Sequence, residues 1–147
     1  MTSPRVQLWS ARIPGITGLI ADHFWFVIAE QSELIRQDRW EVWQTKDCGG
    51  KSWGHIHKNL KAYSDNVGSG ESRLVQEWTD EEAQRLIMHI EKSGSDYPYK
   101  HTYRYWPGPN SNTYVQWLLN QANINYRLDS SAIGKNYLKL GVIFKRL

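Results

Sequence analysis

The sequence predicts a small α+β domain, and two kinds of pattern lead to this prediction. Three early segments, Arg5–Ile13, His23–Glu30 and Arg39–Thr45, are rich in β-branched and aromatic residues and have the length of strands. Later segments have helical spacing: one begins at Thr79, and another covers Tyr114–Ala122. Because strands and helices do not alternate in a β-α-β rhythm, we predict a small antiparallel sheet with two main helices.

Each early strand has its own pattern. In the first, Val6 and Leu8 share one face. His23–Glu30 is a nearly continuous apolar run, which is typical of a central strand buried on both faces. Arg39–Thr45 alternates around Glu41, so its neighbouring side chains point to opposite faces. We predict that this third strand runs antiparallel to the second.

Four further segments complete the predicted outline. Trp53–Leu60 reads as a short strand or a loop, and the Gly/Ser-rich segment Asp65–Ser72 reads as a surface loop. His101–Tyr105 is predicted to be a short strand. Tyr137–Phe144 is predicted to be the last strand.

Both helices carry start signals. T-D-E-E places Thr79 as N-cap and Glu82 at the third helical position, which is the pattern of a capping box. Gly94 is predicted to end this helix. The second helix follows two prolines, and Asn110 or Ser111 is its natural N-cap.

Length and composition narrow the class of protein. A chain of 147 residues fits one domain, 1–147, with enough residues for a core. Trp and Tyr, 8 of each against 3 Phe, suit partly wet grooves, although they also fill cores. The net charge of +3 comes from scattered basic residues, so nucleic-acid binding is not favoured.

The N-terminal segment and the length of the apolar runs bear on localisation. The start M-T-S-P-R lacks the charged and apolar regions of a signal peptide, and no apolar run has the length of a membrane span. We therefore expect a cytoplasmic protein, or one exported without a cleavable signal. The oligomeric state stays open.

Cysteine and histidine patterns predict no metal site and no cofactor. Cys48 is the single cysteine, which excludes an intrachain disulfide and a cysteine-based zinc cluster. It lies in the turn K-D-C-G-G-K, where the positive charges of Lys46 and Lys51 would favour a reactive thiol. An ordinary turn residue is the preferred interpretation. His55 and His57 have the spacing of metal ligands on one strand face, but no further ligand is evident in the sequence.

The segment W-P-G-P-N-S-N-T-Y, Trp106–Tyr114, is the candidate functional site. Two prolines and a glycine stiffen a loop that enters a helix start, where free N–H groups and the helix dipole stabilise an anion or an oxyanion. The alternative is that N-S-N only caps the helix.

This segment carries a family resemblance. Tyr97–Leu119, with its W-P-G-P-N-S-N-T-Y, resembles the signature of a bacterial domain family of unknown function. Ala132–Leu138, A-I-G-K-N-Y-L, is similar to the second block of that family, which usually has Asp where Asn136 stands here. The early D-H-F-W-F-V-I and W-E-V segments also fit the pattern. The resemblance names a family without naming a function.

A more distant resemblance suggests a mechanism. N-S-N-T-Y at a helix start looks like the N-C-x-x-F motif of circularly permuted papain-like proteins, the NlpC/P60 and lecithin-retinol-acyltransferase-like group. In that group a histidine opens an early strand and a cysteine follows at a helix start. Here His23 opens a strand and Ser111 takes the cysteine position. The resemblance implies a permuted papain-like fold.

Serine in place of cysteine changes the chemistry that this resemblance implies. A serine does not ionise at neutral pH, so Ser111 would need His23 as a general base. Glu41 is the candidate that orients His23, and His55 is the second candidate. Backbone N–H groups near Asn112 would form an oxyanion hole. Asn110 would shape the loop.

Two functions follow from these observations. The first is a hydrolase or acyltransferase that acts on an amide, peptide or ester bond of a small-molecule or peptide-like substrate. The second is a non-catalytic binding module on the same scaffold. Its aromatic groove, with walls from Trp106, Tyr105 and Tyr114, would hold a peptide, glycan or lipid fragment, and Lys135 would bind an anionic group.

Overall fold

Antiparallel pairing of strands builds the sheet. The computed structural model describes residues 4–13, 21–31, 35–65 and 71–138. The strands in these ranges are β1 (Arg5–Ile13), β2 (Ala21–Gln31), β3 (Ile35–Val42), β4 (Lys51–Trp53), β5 (Ile56–Lys58) and β6 (Ser72–Thr79). They form one sheet in the order β4-β5-β3-β2-β1-β6, and every pair is antiparallel.

Two helices cover one face of this sheet. They are α1 (Asp80–Asp96) and α2 (Ser111–Gln121). Leu86 of α1 and Leu118 of α2 lie in one buried cluster with Leu8, Phe26 and Trp40 of the sheet. The predicted α+β class, with an antiparallel sheet and two helices, is confirmed. No helix in the described ranges is long and apolar enough to span a membrane.

The opposite face of the sheet has a smaller core, which we call the second face. Its buried apolar residues are Ala11, Trp25 and Val27. Three partly buried rings, those of Trp9, Trp43 and Tyr63, pack against them. Because side chains alternate along a strand, β2 places Phe24 and Phe26 under the helices and Trp25 on the second face.

The predicted early strands are confirmed. The first has the predicted bounds, and Val6 and Leu8 both lie in the cluster under the helices. The second and third begin earlier than predicted, at Ala21 and Ile35, and the third ends at Val42 rather than at the predicted Thr45. Beyond them, two short strands, β4 and β5, stand where a short strand or loop was predicted.

Two strand predictions need correction or lie outside the described residues, and one observed strand was not predicted. His101–Tyr105 forms turn and loop rather than a strand, and Arg104 N–H donates to the Pro109 carbonyl. The edge strand β6 was not predicted, because pairing with β1, rather than its own pattern, extends this segment. Of the predicted strand Tyr137–Phe144, residues 137–138 are helical and the others lie outside the described residues.

The predicted N-cap position of α1 is confirmed, but its capping box and its end at Gly94 are wrong. Thr79 occupies the N-cap position, but its side chain makes no capping hydrogen bond, and its hydroxyl instead lies 3.4 Å from an Asp80 carboxylate oxygen. The helix also continues past Gly94 to Asp96. Gly94 is therefore not a helix terminator.

Gly94 allows α1 to approach the sheet closely. A Cβ atom built on Gly94 would lie 2.7 Å from Cγ of Trp53, and the Trp53 ring stacks on Trp40 at 5.3 Å between centroids. Because Trp53 is held between the helix and Trp40, it has little room to move. The glycine serves packing between α1 and β4.

We expect Gly94→Ala to lower the free energy of unfolding by about 1–3 kcal/mol, because the added methyl overpacks the Trp53 ring. Alanine has the higher helix propensity, so propensity alone predicts the opposite sign. Urea unfolding followed by circular dichroism measures the change. The control is Ser95→Ala at the exposed neighbouring position. A stabilised Gly94→Ala variant would contradict the close approach.

Candidate functional site

The side-chain amide of Asn110 caps α2 and ties it to two other segments. Its Oδ1 accepts hydrogen bonds from the backbone N–H groups of Asn112 and Thr113, at 3.0 and 3.3 Å. Its Nδ2 donates to the carbonyls of Tyr105 and Ile133, at 2.8 and 2.9 Å. The predicted cap at Asn110 is confirmed. One buried amide thus joins the loop before α2 to the second signature block.

Asn112 connects the start of α2 to the sheet. Its Oδ1 accepts from the Phe24 N–H at 3.1 Å, and its Nδ2 donates to the Asp22 carbonyl at 2.8 Å. The amide therefore satisfies backbone groups of β2 as a neighbouring strand would. Nδ2 also donates to the Ile133 carbonyl at 3.0 Å. This contact brings β2, α2 and the second block to one point.

The second block is fixed by further contacts. Thr113 Oγ1 donates to the Gly134 carbonyl at 2.7 Å. Gly134 has a φ of +98°, and a Cβ atom there would lie 2.3 Å from Asn110 Oδ1. Glycine is therefore required at this position, both for its backbone conformation and for the close approach of Asn110. We call the contacts of Asn110, Asn112 and Thr113 the amide clamp.

Ser111 lies inside this clamp. Its side chain is nearly buried, with 4% exposed, and its hydroxyl lies 3.5 Å from Asn112 Oδ1. Backbone N–H groups near Asn112 were predicted to form an oxyanion hole, but those of Asn112 and Thr113 already donate to Asn110. These two N–H groups at the start of α2 are therefore already hydrogen-bonded within the helix cap.

A cleft opens where the two signature blocks, Tyr97–Leu119 and Ala132–Leu138, meet. Trp106 and Pro107 form one wall, and Ser130 with residues 132–137 forms the other. The cleft has a volume of about 640 Å³. Trp106 is 74% exposed, more than any other large hydrophobic residue in the described ranges. The predicted groove residue Trp106 thus stands at an open cleft.

The other predicted groove residues lie in different places. Tyr105 is half-buried, and its carbonyl accepts from Asn110. Tyr114 is fully buried in the core, where its hydroxyl lies 2.7 Å from Ser93 Oγ. Lys135 borders the cleft, but its ammonium group donates to the Leu128 carbonyl.

His23 and Glu41 meet on the second face of the sheet. His23 Nε2 lies 2.8 Å from Glu41 Oε1 in a fully buried pair. Arg39 makes two hydrogen bonds to the same carboxylate, at 2.6 and 2.8 Å, and its guanidinium lies 3.9 Å from the Trp25 ring centroid. The structure therefore brings together the predicted histidine and its predicted orienting carboxylate.

Strand geometry places the His23 side chain away from the helix layer. Phe24 lies in the cluster under the helices, whereas His23 stacks on Trp25 and meets the edge of Trp43 on the second face. Ser111 begins a helix of the opposite layer. The hydrogen bonds of the two side chains described above go to different partners, Glu41 for His23 and Asn112 for Ser111.

Glu41 is a buried carboxylate that stays ionised. Burial raises its pKa, but the hydrogen bonds and charges of His23 and Arg39 outweigh burial and lower the pKa from 4.5 to about 2. The carboxylate is therefore an anion at neutral pH, balanced by the guanidinium of Arg39 at its side. Such a network can hold an imidazole in one orientation.

His55, the second candidate for orienting His23, has another partner. Its Nδ1 lies 2.9 Å from the Trp43 carbonyl, and its ring lies 5.6 Å from that of Tyr103. His57 contacts the thiol of Cys48. Across the described residues, no group of three or more His, Cys, Asp or Glu side chains is arranged to hold a metal ion.

Comparison with known proteins identifies the family. A family model described as "Protein of unknown function (DUF3750)" matches residues 3–137. The chain belongs to the DUF3750 family. Neither curated proteins nor solved structures gave a match. The resemblance to a domain family of unknown function is confirmed, and the resemblance to papain-like proteins stays a prediction.

Two residues of this DUF3750 chain, Arg39 and Asp22, were not singled out by their sequence pattern. Arg39 completes the Glu41 network, and Asp22 accepts from Arg12, Arg73 and Ser131 while it is buried. The sequence offered one signal for Asp22, since this acid directly precedes His23 in D-H-F-W-F-V-I. The pairing of Cys48 with His57 depends on the turn between them.

We expect Glu41→Gln to lower the free energy of unfolding by about 3–5 kcal/mol at neutral pH, because it leaves Arg39 buried without its counter-ion. The sign of the pH dependence follows from the depressed pKa. The ionised carboxylate stabilises the folded state above its unfolded pKa, and this contribution is lost as the pH falls toward 2. The difference between the two proteins should therefore shrink between about pH 5 and pH 2.

Urea unfolding across this pH range measures that difference, with Glu71→Gln at an exposed position as the control. A constant difference at every pH would contradict the buried, ionised state of Glu41.

Proposed function

We propose that this DUF3750 chain is a non-catalytic binding module whose ligand places an apolar or ring-shaped fragment in the cleft beside Trp106. The observation that carries the proposal is the exposure of Trp106 at the mouth of the cleft. An indole left in water forgoes the favourable burial of a large apolar surface. When such a ring borders a concave apolar site, it is a typical anchor for a partner.

The amide clamp supports this proposal, because it holds both walls of the cleft. Asn110 fixes the Tyr105 carbonyl next to Trp106 and also the Ile133 carbonyl on the other wall. Thr113 holds Gly134 between them. A site whose walls are already in place loses little conformational entropy on binding.

The chemistry of the walls favours an uncharged fragment. Pro107, Ala132 and Ile133 supply apolar surface, and Tyr137 adds a second ring. The ammonium of Lys135 already has the Leu128 carbonyl as a partner. We therefore favour the aromatic or aliphatic side chain of a peptide over an anionic group, with a sugar ring or an acyl chain as the alternatives to be compared.

We expect Trp106→Ala to abolish binding of fragments that the wild-type protein holds. The probes are short peptides with a central Phe, Tyr or Leu, oligosaccharides and short acyl chains, each followed by protein-observed NMR. Met88→Ala is the matched control, because Met88 is also an exposed hydrophobic residue but lies on α1. Shifts at residues 130–137 that vanish in Trp106→Ala and persist in Met88→Ala support the proposal. Equal binding by both variants would refute it.

A hydrolase or acyltransferase with Ser111, His23 and Glu41 is the second candidate. The observation that favours it is the 2.8 Å contact between His23 and Glu41, since a general base needs such a partner. Two observations weigh against it: His23 points to the second face, and the N–H groups of Asn112 and Thr113 are taken by the cap. The hydrolase therefore stays a prediction of the sequence.

A fluorophosphonate that labels activated serines separates the two candidates. We expect no labelling of the wild-type protein, because the Ser111 hydroxyl is nearly buried and lies beside Asn112. Ser111→Ala and His23→Ala are the matched variants. Wild-type labelling that is lost in both of them would overturn the binding module in favour of the hydrolase.

A further inference from the structure

Cys48 and His57 form a pair of side chains outside the cleft, and His57 is the cross-strand neighbour of Glu41. Cys48 Sγ lies 3.1 Å from His57 Nε2. Cys48 is exposed in the turn between β3 and β4, whereas the His57 ring is fully buried in β5. The thiol is therefore open to solvent on one side and faces a fixed imidazole on the other.

Hydrogen bonding indicates which nitrogen of His57 carries the proton. His57 Nδ1 lies 2.9 Å from the His55 carbonyl, which can only accept, so Nδ1 is the protonated atom. The Cys48 backbone N–H also points to Nε2, at 3.3 Å. Nε2 is thus an acceptor, with its lone pair directed at the cysteine.

The surroundings of His57 favour its neutral form. Burial lowers its pKa, and this effect outweighs the His55 carbonyl and the carboxylates of Glu41 and Asp47, which raise it. A neutral imidazole whose Nε2 carries no proton can take one from a thiol during a reaction.

The turn holds the cysteine in this position. Asp47 bridges it through its backbone N–H to the Gly54 carbonyl and through its carboxylate to the Gly54 N–H, at 2.9 and 3.0 Å. Ser52 Oγ donates to the Gly49 carbonyl at 2.7 Å. Gly50 has a φ of +57°, and a Cβ atom there would lie 2.3 Å from the Lys58 carbonyl. The turn therefore places Cys48 against His57 before any ligand arrives.

We propose that Cys48 and His57 form a thiol–disulfide exchange site that accepts low-molecular-weight disulfides. Cys48 Sγ attacks one sulfur of the disulfide while its proton moves to His57 Nε2. The S–S bond of the reagent breaks, the other sulfur departs as a thiolate, and His57 passes the proton to that thiolate or to water. Cys48 is oxidised to a mixed disulfide and the reagent is reduced to one thiol, so electrons and protons balance.

A disulfide fits this site better than an acyl group does. Attack on sulfur needs an open approach to Sγ and a base, and both are present in the exposed turn. Acyl transfer also needs donors around a developing oxyanion. The Cys48 N–H points to His57, and the Gly54 N–H to Asp47, so these two groups of the turn have other acceptors.

The experiment uses the aromatic disulfide dithiobis(nitrobenzoate), whose exchange releases a coloured thiolate. Because the chain has a single cysteine, the whole signal reports Cys48. At neutral pH we expect His57→Gln to react about tenfold or more slowly than the wild-type protein, since it lacks the base. His89→Gln, in α1, is the matched control and should react at the wild-type rate. A His57→Gln rate equal to the wild-type rate would overturn the proposal.

A second measurement does not depend on the folding of a variant. The wild-type protein is compared in its native state and in guanidinium chloride, where Cys48 and His57 are separated. We expect faster exchange in the native state, and a native rate equal to or below the unfolded rate would overturn the proposal. Oxidised glutathione should then give one mixed disulfide per chain by mass spectrometry, removed by a reducing agent. Failure to form this adduct would also count against the site.

Discussion

The amide clamp is the interaction on which the rest of the site depends. Asn110 and Asn112 each use both the oxygen and the nitrogen of a side-chain amide, and together they join the start of α2, the start of β2 and the second signature block. These buried amides are satisfied on both atoms, whereas loss of either would leave backbone carbonyls without donors. The motif N-S-N-T is therefore explained first by the hydrogen bonds that join these three segments. The cleft beside Trp106 results from the same contacts.

The two faces of the sheet carry different kinds of side chain. Under the helices the strands supply apolar side chains and build the main core. On the second face, β3 carries Arg39 and Glu41, whose opposite charges are buried and compensate each other. His23 contacts the Glu41 carboxylate, and the Trp25 ring lies against the Arg39 guanidinium. Since β5 pairs His57 with Glu41 across the sheet, the Cys48 pair stands at the edge of the same polar row.

The cleft shares none of its lining residues with the polar row of Glu41, His57 and Cys48, so the chemical features of the protein do not form one active site. The cleft offers an exposed indole and rigid walls, which suit binding. The buried carboxylate on the second face has its hydrogen bonds and counter-charge inside the protein. The exposed cysteine has the geometry for a reversible covalent exchange with a small disulfide. Binding at Trp106 and exchange at Cys48 can therefore be tested independently.

The sequence by itself determined the features that depend on neighbours a few residues away. Strand β1 has its predicted bounds, Asn110 caps α2, and the α+β class follows from the order of the patterns. The tertiary structure decided what depends on distant partners. Asn112 reaches Asp22, 90 positions earlier, and Gly94 lies inside a helix where it packs closely against Trp53. The strand partner of β6 and the hydroxyl partner of Tyr114 were decided in the same way. Periodicity and capping act within a turn or a strand, whereas hydrogen bonds between distant segments exist only once the sheet and helices have fixed which faces meet.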